Sequence, residues 1–483
     1  MAKAASRFII EKCRIGADWV KAGVGEKTAV TNPATGKLLG YIPDLPKKEI
    51  TRAIAAAEAA LPAWRAKTAK ERAAILRRWF ELIIENTDEL AELLTAEQGK
   101  PLAESKREIS YSASFVEWFG EEAKRIYGDI IPGHQQGLRL LVTKEPVGVC
   151  AIITPWNFPS AMIARKIGAA LAAGCTTVVK PAEQTPFSAL AMAKLAEEAG
   201  VPAGVINVVT GDAKMIGKVF TGSKTVRKLS FTGSTEVGRL LMEASALDLK
   251  RLSLELGGNA PFIVCEDADL DAAVEGAVAS KFRNSGQTCV CTNRFYIHDS
   301  LYDAFTEKLV KAVSKLKVGN GMEKGIEQGP LIDEAALKKV EILLKDAVQK
   351  GAKVKLGGKR HKLGGTFFEP TVLVNVSAKA RMAKEEIFGP VAALYRFKTD
   401  EEAVRRANDT EFGLVAYVYA RDMKRIAYFS ESLETGMVGV NTGMISTEVA
   451  PFGGVKQSGF GREGSFYGIE EYLQVKYTCL NIA

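Results

Sequence analysis

From Ile152 to Val264, short runs rich in β-branched residues alternate with helical stretches: AIIT, a stretch ending at Gly174, then TTVVK, INVVTG, RKLSFTG and RLSLELGG with helical segments between them. Parallel strands need a crossover, commonly a helix, so this rhythm indicates parallel βαβ units and a dinucleotide-type domain. A second alternating series starts at Ala260 and runs to about Tyr419 through RFYIH, a helical stretch around 304–316, VAALYRF and GLVAYVYA. It indicates a second α/β lobe. A chain of 483 residues is too long for one hydrophobic core, which agrees with two or three packed lobes.

The segment from about Lys47 to Tyr127 reads as a helical layer. Thr68-Ala69-Lys70-Glu71 has the capping-box pattern, and Ala73, Leu76, Phe80, Ile83 and Ile84 follow at helical spacing. Between Gly137 and Ile153 the period changes, and LRLLVTK and VGVCAII flank Glu145-Pro146 as two extended runs expected to pair in a hairpin arm. The tail GIEEYLQVKYTCL ends in a strand-like run expected to pair with that arm or with another subunit.

Composition narrows the function classes. No apolar run approaches the roughly 20 residues of a membrane helix, and the N-terminal MAKAASRFIIEKCRIGADWV lacks the apolar core of a signal peptide, so a cytoplasmic location is the default. Seven cysteines, an odd number in mostly apolar surroundings, argue against a disulfide framework. There is no CxxC pair, HExxH or carboxylate-rich loop, hence no support for a metal. The formal charge of +8 is spread along the chain apart from Lys359-Arg360-His361-Lys362, which supports nucleic-acid binding weakly and anionic small molecules equally well. The three histidines (134, 298, 361) lie far in sequence from any other candidate catalytic group.

The strongest local signal is Asn284-Ser285-Gly286-Gln287-Thr288-Cys289. A buried structural cysteine is usually reached through apolar residues, whereas this one follows a small, polar, Gly-containing turn whose amides stabilise a thiolate. With no histidine at hand, the candidate base is Glu255, at the end of RLSLEL and followed by Gly257-Gly258-Asn259; an ordinary strand-end carboxylate is the bland alternative. Asn157, in Pro155-Trp156-Asn157-Phe158-Pro159, either donates to a developing oxyanion or caps the helix that Pro159 opens. Ser230 to Gly238, SFTGSTEVG, reads as strand, turn and helix start, a place for a pyrophosphate, although its GxxxxG spacing is not the GxGxxG fingerprint.

Together SLELGGN, GQTC, PWNFP, FTGSTEVG, Glu386-Ile387-Phe388-Gly389-Pro390 and Pro451-Phe452-Gly453-Gly454 resemble the aldehyde dehydrogenase superfamily over nearly the whole chain. Within it, KFRNSGQTCVC, ISYSASFVEWF, RIYGDIIPGH and GREGSFYGIEEYLQVKY are most similar to the succinate-semialdehyde dehydrogenase branch. The resemblance implies an α/β fold: a Rossmann-type cofactor domain (1–125 and 146–256), an α/β catalytic domain (257–440), and a β oligomerisation arm with the C-terminal segment (126–145 and 441–483). It implies a homodimer or homotetramer. It also implies oxidation of succinate semialdehyde through a Cys289 thiohemiacetal and thioester, with Asn157 and the Cys289 N–H holding the oxyanion and Glu255 activating water. A broader aldehyde dehydrogenase, or a cysteine hydrolase or acyltransferase, is the alternative.

By the same resemblance Trp156, Lys180, Glu183, Gly233, Ser234, Leu256, Glu386 and Phe388 contact NAD or NADP. Glu183 favours NAD, because a carboxylate there bonds ribose hydroxyls and repels a 2′-phosphate. Arg165, Arg283 and Ser446 grip the substrate's distal carboxylate; each arginine has a structural ion pair as its alternative. Cys291 is either the partner of a redox disulfide with Cys289 or a spectator.

Overall fold

The computed structural model describes residues 5–21 and 27–482. Residues 1–4, which head the segment read as lacking an apolar leader, lie outside the described residues. Among the described residues no helix is long and apolar enough to cross a membrane.

The helical layer consists of Lys47–Ala66, Ala69–Glu85, Thr87–Gln98 and Leu102–Glu122. Thr68 and Glu71 form the expected reciprocal cap. Ala73, Leu76 and Ile83 are buried as the spacing predicts, but Phe80 is only half-buried and Ile84 is exposed, and the core face is completed by Leu82 and by Trp79, whose indole N–H donates to the Met192 carbonyl. A wide aromatic here needs a polar partner as well as apolar surface, and a neighbouring helix supplies it.

The first alternating series builds a sheet whose five parallel strands stand in the order Ile206–Val208, Thr176–Lys180, Val149–Ile153, Val226–Thr232, Arg251–Glu255. In chain order that is 3-2-1-4-5, the doubly wound arrangement. The helix Ala161–Ala173 ends on Gly174, whose φ of +94° closes it in the left-handed region. The second series builds a sheet in the order Lys353–Leu356, Thr371–Val374, Val391–Phe397, Thr292–His298, Ala260–Val264, Val415–Tyr419, Met437–Val440, parallel except for the first strand.

The hairpin expected between 137 and 153 does not form. Leu138–Pro146 pairs instead with Asp129–Ile131 and, along its whole length, antiparallel with Leu473–Asn481 of the same chain, while Val149–Ile153 enters the doubly wound sheet. The physical reason is burial: Val149, Cys150, Ala151 and Ile152 are wholly enclosed, so this run belongs between two parallel neighbours, whereas Leu138–Pro146 is half exposed. The C-terminal segment is more than an arm, because Gly459–Phe460 adds an antiparallel edge strand beside Arg251–Glu255.

Candidate active site

In the doubly wound sheet the winding direction reverses between Val149–Ile153 and Val226–Thr232, and a crevice is expected beyond the carboxyl ends of those two strands. The chain leaving the first passes through Pro155, Trp156 and Asn157; the chain leaving the second passes through Gly233 and Ser234 into the helix Thr235–Ser245, which Ser234 caps by accepting from the Val237 amide at 3.3 Å. A cavity of about 230 Å³ lies there, lined by Trp156, Asn157, Gly233, Ser234, Glu255, Leu256, Cys289, Glu386 and Phe388, with Met162 and Lys339. All three residues read as chemical, and six of those read as cofactor-contacting, therefore face one space. Cys289 and Phe388 reach it from just before Thr292–His298 and Val391–Phe397, so the second sheet offers its amino-terminal edge.

The loop leading to Cys289 is held against strain. Asn284, Ser285 and Gly286 all have positive φ (50°, 54° and 74°), which is costly for the first two. Hydrogen bonds from elsewhere fix them: the Asn284 amide donates to Glu104 at 2.8 Å, the Asn284 side chain to the Asn157 carbonyl at 3.0 Å, and Ser285 Oγ to the Gly329 carbonyl at 2.9 Å. At Gly286 a Cβ would stand 2.2 Å from the Gly389 carbonyl oxygen, so the Glu386–Pro390 loop packs directly on this turn.

Glu255 ends its strand inside the cavity with both carboxylate oxygens buried and without a hydrogen-bond partner among the described residues. Burial pushes it up to about 7, against the pull of Arg165. Burial also lifts the Cys289 thiol well above its ordinary value, and the neighbouring Glu255 charge raises it further. Both shifts favour the uncharged forms of the two groups. Gly258, three residues after Glu255, admits the Cys289 backbone: a Cβ there would be 2.6 Å from the Cys289 carbonyl oxygen.

Asn157 is not a helix cap. The helix opens at Ala161, and the amides of Ser160 and Ala161 donate to Glu108. Asn157 Oδ1 accepts from the Phe158 amide at 3.1 Å, and Nδ2 spends one hydrogen on the Gln287 carbonyl at 3.1 Å, leaving its second hydrogen for the cavity.

Elsewhere on the cavity wall, Glu386 accepts from the Gly258 amide at 3.2 Å and is raised to about 7 by burial. Phe388, at φ +53°, meets Trp156 edge-on with ring centroids 5.5 Å apart. The Ile387 amide donates to Asn293, which anchors this loop to the second sheet. Lys180 and Glu183 lie further along the crevice as an ion pair of 3.1 Å.

The two arginines differ. Arg165 is fully buried, paired through Nε with Glu463 and stacked 4.1 Å from the centroid of Phe452, but its Nη2 has no hydrogen-bond partner among the described residues. Arg283 is half-buried, lies over Phe158 and touches Met444 Sδ, and makes no ion pair among the described residues. Ser446 lies two residues past Met444, also half-buried. Cys291 is buried with its thiol directed to the Lys281 carbonyl at 3.3 Å, and both it and Cys289 are free thiols.

Residues 19–478 match the model of the aldehyde dehydrogenase family. The chain belongs to that family. Among curated relatives it is 63% identical to the glutarate-semialdehyde dehydrogenase of Pseudomonas putida, covering 98% of each chain. It is 62% identical to the NADP+ succinate-semialdehyde dehydrogenase of Escherichia coli, covering 99% of each. Among solved structures, succinate-semialdehyde dehydrogenase from Burkholderia pseudomallei is 63% identical and superposes with a TM-score of 0.98 over 99% of each chain.

This aldehyde dehydrogenase also places near its site residues that the motifs did not single out. Glu463 bridges Arg165 and Lys166, and Lys166 reaches on to Thr232 Oγ1 at 2.6 Å. Tyr111 has a buried hydroxyl without a partner; burial raises its phenol, and the nearby charges of Arg165 and Arg283 pull it back. Both lie inside runs that carried the resemblance, GREGSFYG and ISYSASFVEWF, but only the fold brings them beside Cys289. Of the basic cluster near 360, Arg360 is tied up by Glu334 and Glu341.

Proposed function

We propose that this aldehyde dehydrogenase oxidises succinate semialdehyde to succinate, and that it takes NAD in preference to NADP. Glu255 receives the Cys289 proton, and the thiolate attacks the aldehyde carbon; a C–S bond forms as the carbonyl π pair moves to oxygen. The free hydrogen of Asn157 Nδ2 and the Cys289 amide hold that oxyanion. When bound, the nicotinamide accepts the hydride whose loss converts the thiohemiacetal to a thioester. Glu255, once it has released the first proton to solvent, takes a proton from water as the water oxygen bonds to the thioester carbon, and collapse of the adduct expels the Cys289 thiolate and leaves the acid.

The residues fit such a cofactor. The first amides of the Ser234-capped helix suit a pyrophosphate, and Glu386, accepting one hydrogen bond, suits ribose hydroxyls. Glu183 bears on cofactor choice. Burial pushes its carboxyl up, but Lys180 outweighs this and keeps it below its ordinary range, hence charged. Repulsion of a 2′-phosphate, about 4 kcal/mol for an unscreened pair at about 4 Å and an effective dielectric near 20, is reduced by Lys180 and by solvent at this half-exposed side chain. The specificity constant for NAD is expected to exceed that for NADP; the opposite ranking would show that Glu183 turns away from the ribose.

One observation carries the substrate reading: beside the nucleophile, Arg283 lacks an anionic partner while Arg165 Nη2 and the Tyr111 hydroxyl are unspent donors. An aldehyde with a distal carboxylate would satisfy them. Because Arg165 also holds Glu463, its removal would leave that buried carboxylate to Lys166 alone, and Arg283 is the cleaner probe. Arg283→Ala should weaken succinate semialdehyde binding by about 1.5–3 kcal/mol, roughly 10- to 150-fold in KM, and butanal far less. Equal losses for the two aldehydes would remove the carboxylate site and leave the enzyme class standing. The exposed Val475, Tyr477 and Leu480 on the arm support self-association as a homodimer or homotetramer, measurable by sedimentation.

A further inference from the structure

Lys100 is among the most enclosed charges in the protein, with its side chain wholly buried. It follows the turn after the helix Thr87–Gln98, far from Cys289 in sequence, and its ammonium has three neighbours. Nζ donates to Glu108 Oε2 at 2.5 Å and to the Asn157 carbonyl at 2.7 Å, and it sits 3.7 Å from the centroid of Phe158. Glu108 uses its other oxygen on the amides of Ser160 and Ala161, at 3.0 and 3.2 Å. A buried ion pair is expensive, and this one is spent almost entirely on residues 157–161.

The Asn157 carbonyl accepts from two donors, Lys100 Nζ and the Asn284 amide group. Together they fix the plane of the Asn157–Phe158 peptide. The N–H at the other end of that same peptide, on Phe158, is the donor that holds Asn157 Oδ1. Fixing the plane therefore decides which end of the Asn157 amide faces the nucleophile loop: with Oδ1 held by its own neighbour, Nδ2 points to Gln287 and the cavity. We infer that Lys100 is a positioning residue for the oxyanion donor, acting through the 157–158 peptide. This rests on the oxyanion role proposed above for Asn157.

The test is a double-mutant cycle on the pre-steady-state rate of cofactor reduction. Asn157→Ala alone should slow that step by roughly 10²- to 10³-fold, the usual loss of one oxyanion donor. Lys100→Met should slow it by roughly 10-fold or more in the wild-type background, since small misplacements of a catalytic group are costly, and by less than about 2-fold when Asn157 is already alanine. Alkylation of Cys289 by iodoacetamide, a displacement at saturated carbon that builds no oxyanion, should stay within about 2-fold of wild type. Equal slowing in both Asn157 backgrounds, or an equal loss in alkylation, would overturn the positioning role and leave the Asn157 reading intact. Normal turnover by Asn157→Ala would overturn both.

Because Lys100→Met strands the Glu108 carboxylate, the cycle is repeated with Lys100→Met/Glu108→Gln, read against Glu108→Gln alone. Failure of both Lys100 variants to fold would make Lys100 scaffold and end the proposal.

Discussion

Cys289→Ala is expected to abolish aldehyde-dependent reduction of NAD, with no initial burst. The reaction proposed above passes through a covalent bond to this sulfur, and no other thiol can take its place. Cys291, two residues on, is buried with its Sγ turned to the Lys281 carbonyl, and the other cysteines lie outside the cavity. Deleting a nucleophile that works with a base typically costs roughly 10⁶-fold. The side chain removed borders an existing cavity, so the variant should fold and still bind the cofactor, which fluorescence quenching can verify. Near-normal turnover by this variant would end the covalent mechanism.

Glu255→Gln should separate the two halves of the reaction. Steady-state turnover falls by roughly 10²- to 10⁴-fold, the range for a lost general base, and a stoichiometric burst of reduced cofactor precedes it where thioester hydrolysis becomes slowest. The acid form is inactive as a base, so the wild-type hydrolysis rate should climb as pH rises through about 7, and that limb should vanish in the variant. Glu386, also raised to about 7, stays in both proteins and marks any residual pH dependence. Folding stability runs the other way. A carboxyl whose folded value is raised contributes stability fully present below its ordinary value and lost as pH rises from there through about 7, so the glutamine variant should lose less stability over that interval. Unchanged steady-state turnover would remove Glu255 from the mechanism.

The five parallel strands of the first sheet and the central strands of the second were legible because parallel, doubly covered strands are written as continuous apolar runs, whereas Lys353–Leu356, Thr371–Val374 and Met437–Val440, toward the edges of the second sheet, were not singled out. Cys289, Glu255 and Asn157 were legible because each sits in a local run of small or polar residues that packing alone does not require. The pairing of Leu138–Pro146 was legible in part: the C-terminal run, expected beside this arm or another subunit, does pair with it, but the hairpin with Val149–Ile153 was misread because nothing local separates the two partners, and burial decides it. The Asn157 cap reading failed because the helix starts at Ala161 and borrows a carboxylate from another layer. The ion pair between Arg165 and Glu463 spans 298 residues of sequence, and no spacing rule reaches that far.

That borrowed carboxylate has a counterpart. As Glu108 takes the amides of Ser160 and Ala161, Glu97 takes those of Phe187 and Ser188 at the head of the helix Pro186–Glu198, so both helix starts are satisfied by side chains 52 to 91 residues earlier in the chain. Until the helical layer docks, four amide hydrogens at these two starts have no protein partner, and once it docks the two carboxylates are sealed from water. Neither layer is finished alone. The buried acids of the helical layer find these hydrogen bonds only against the βαβ units, so each of the two segments carries part of the other's stability.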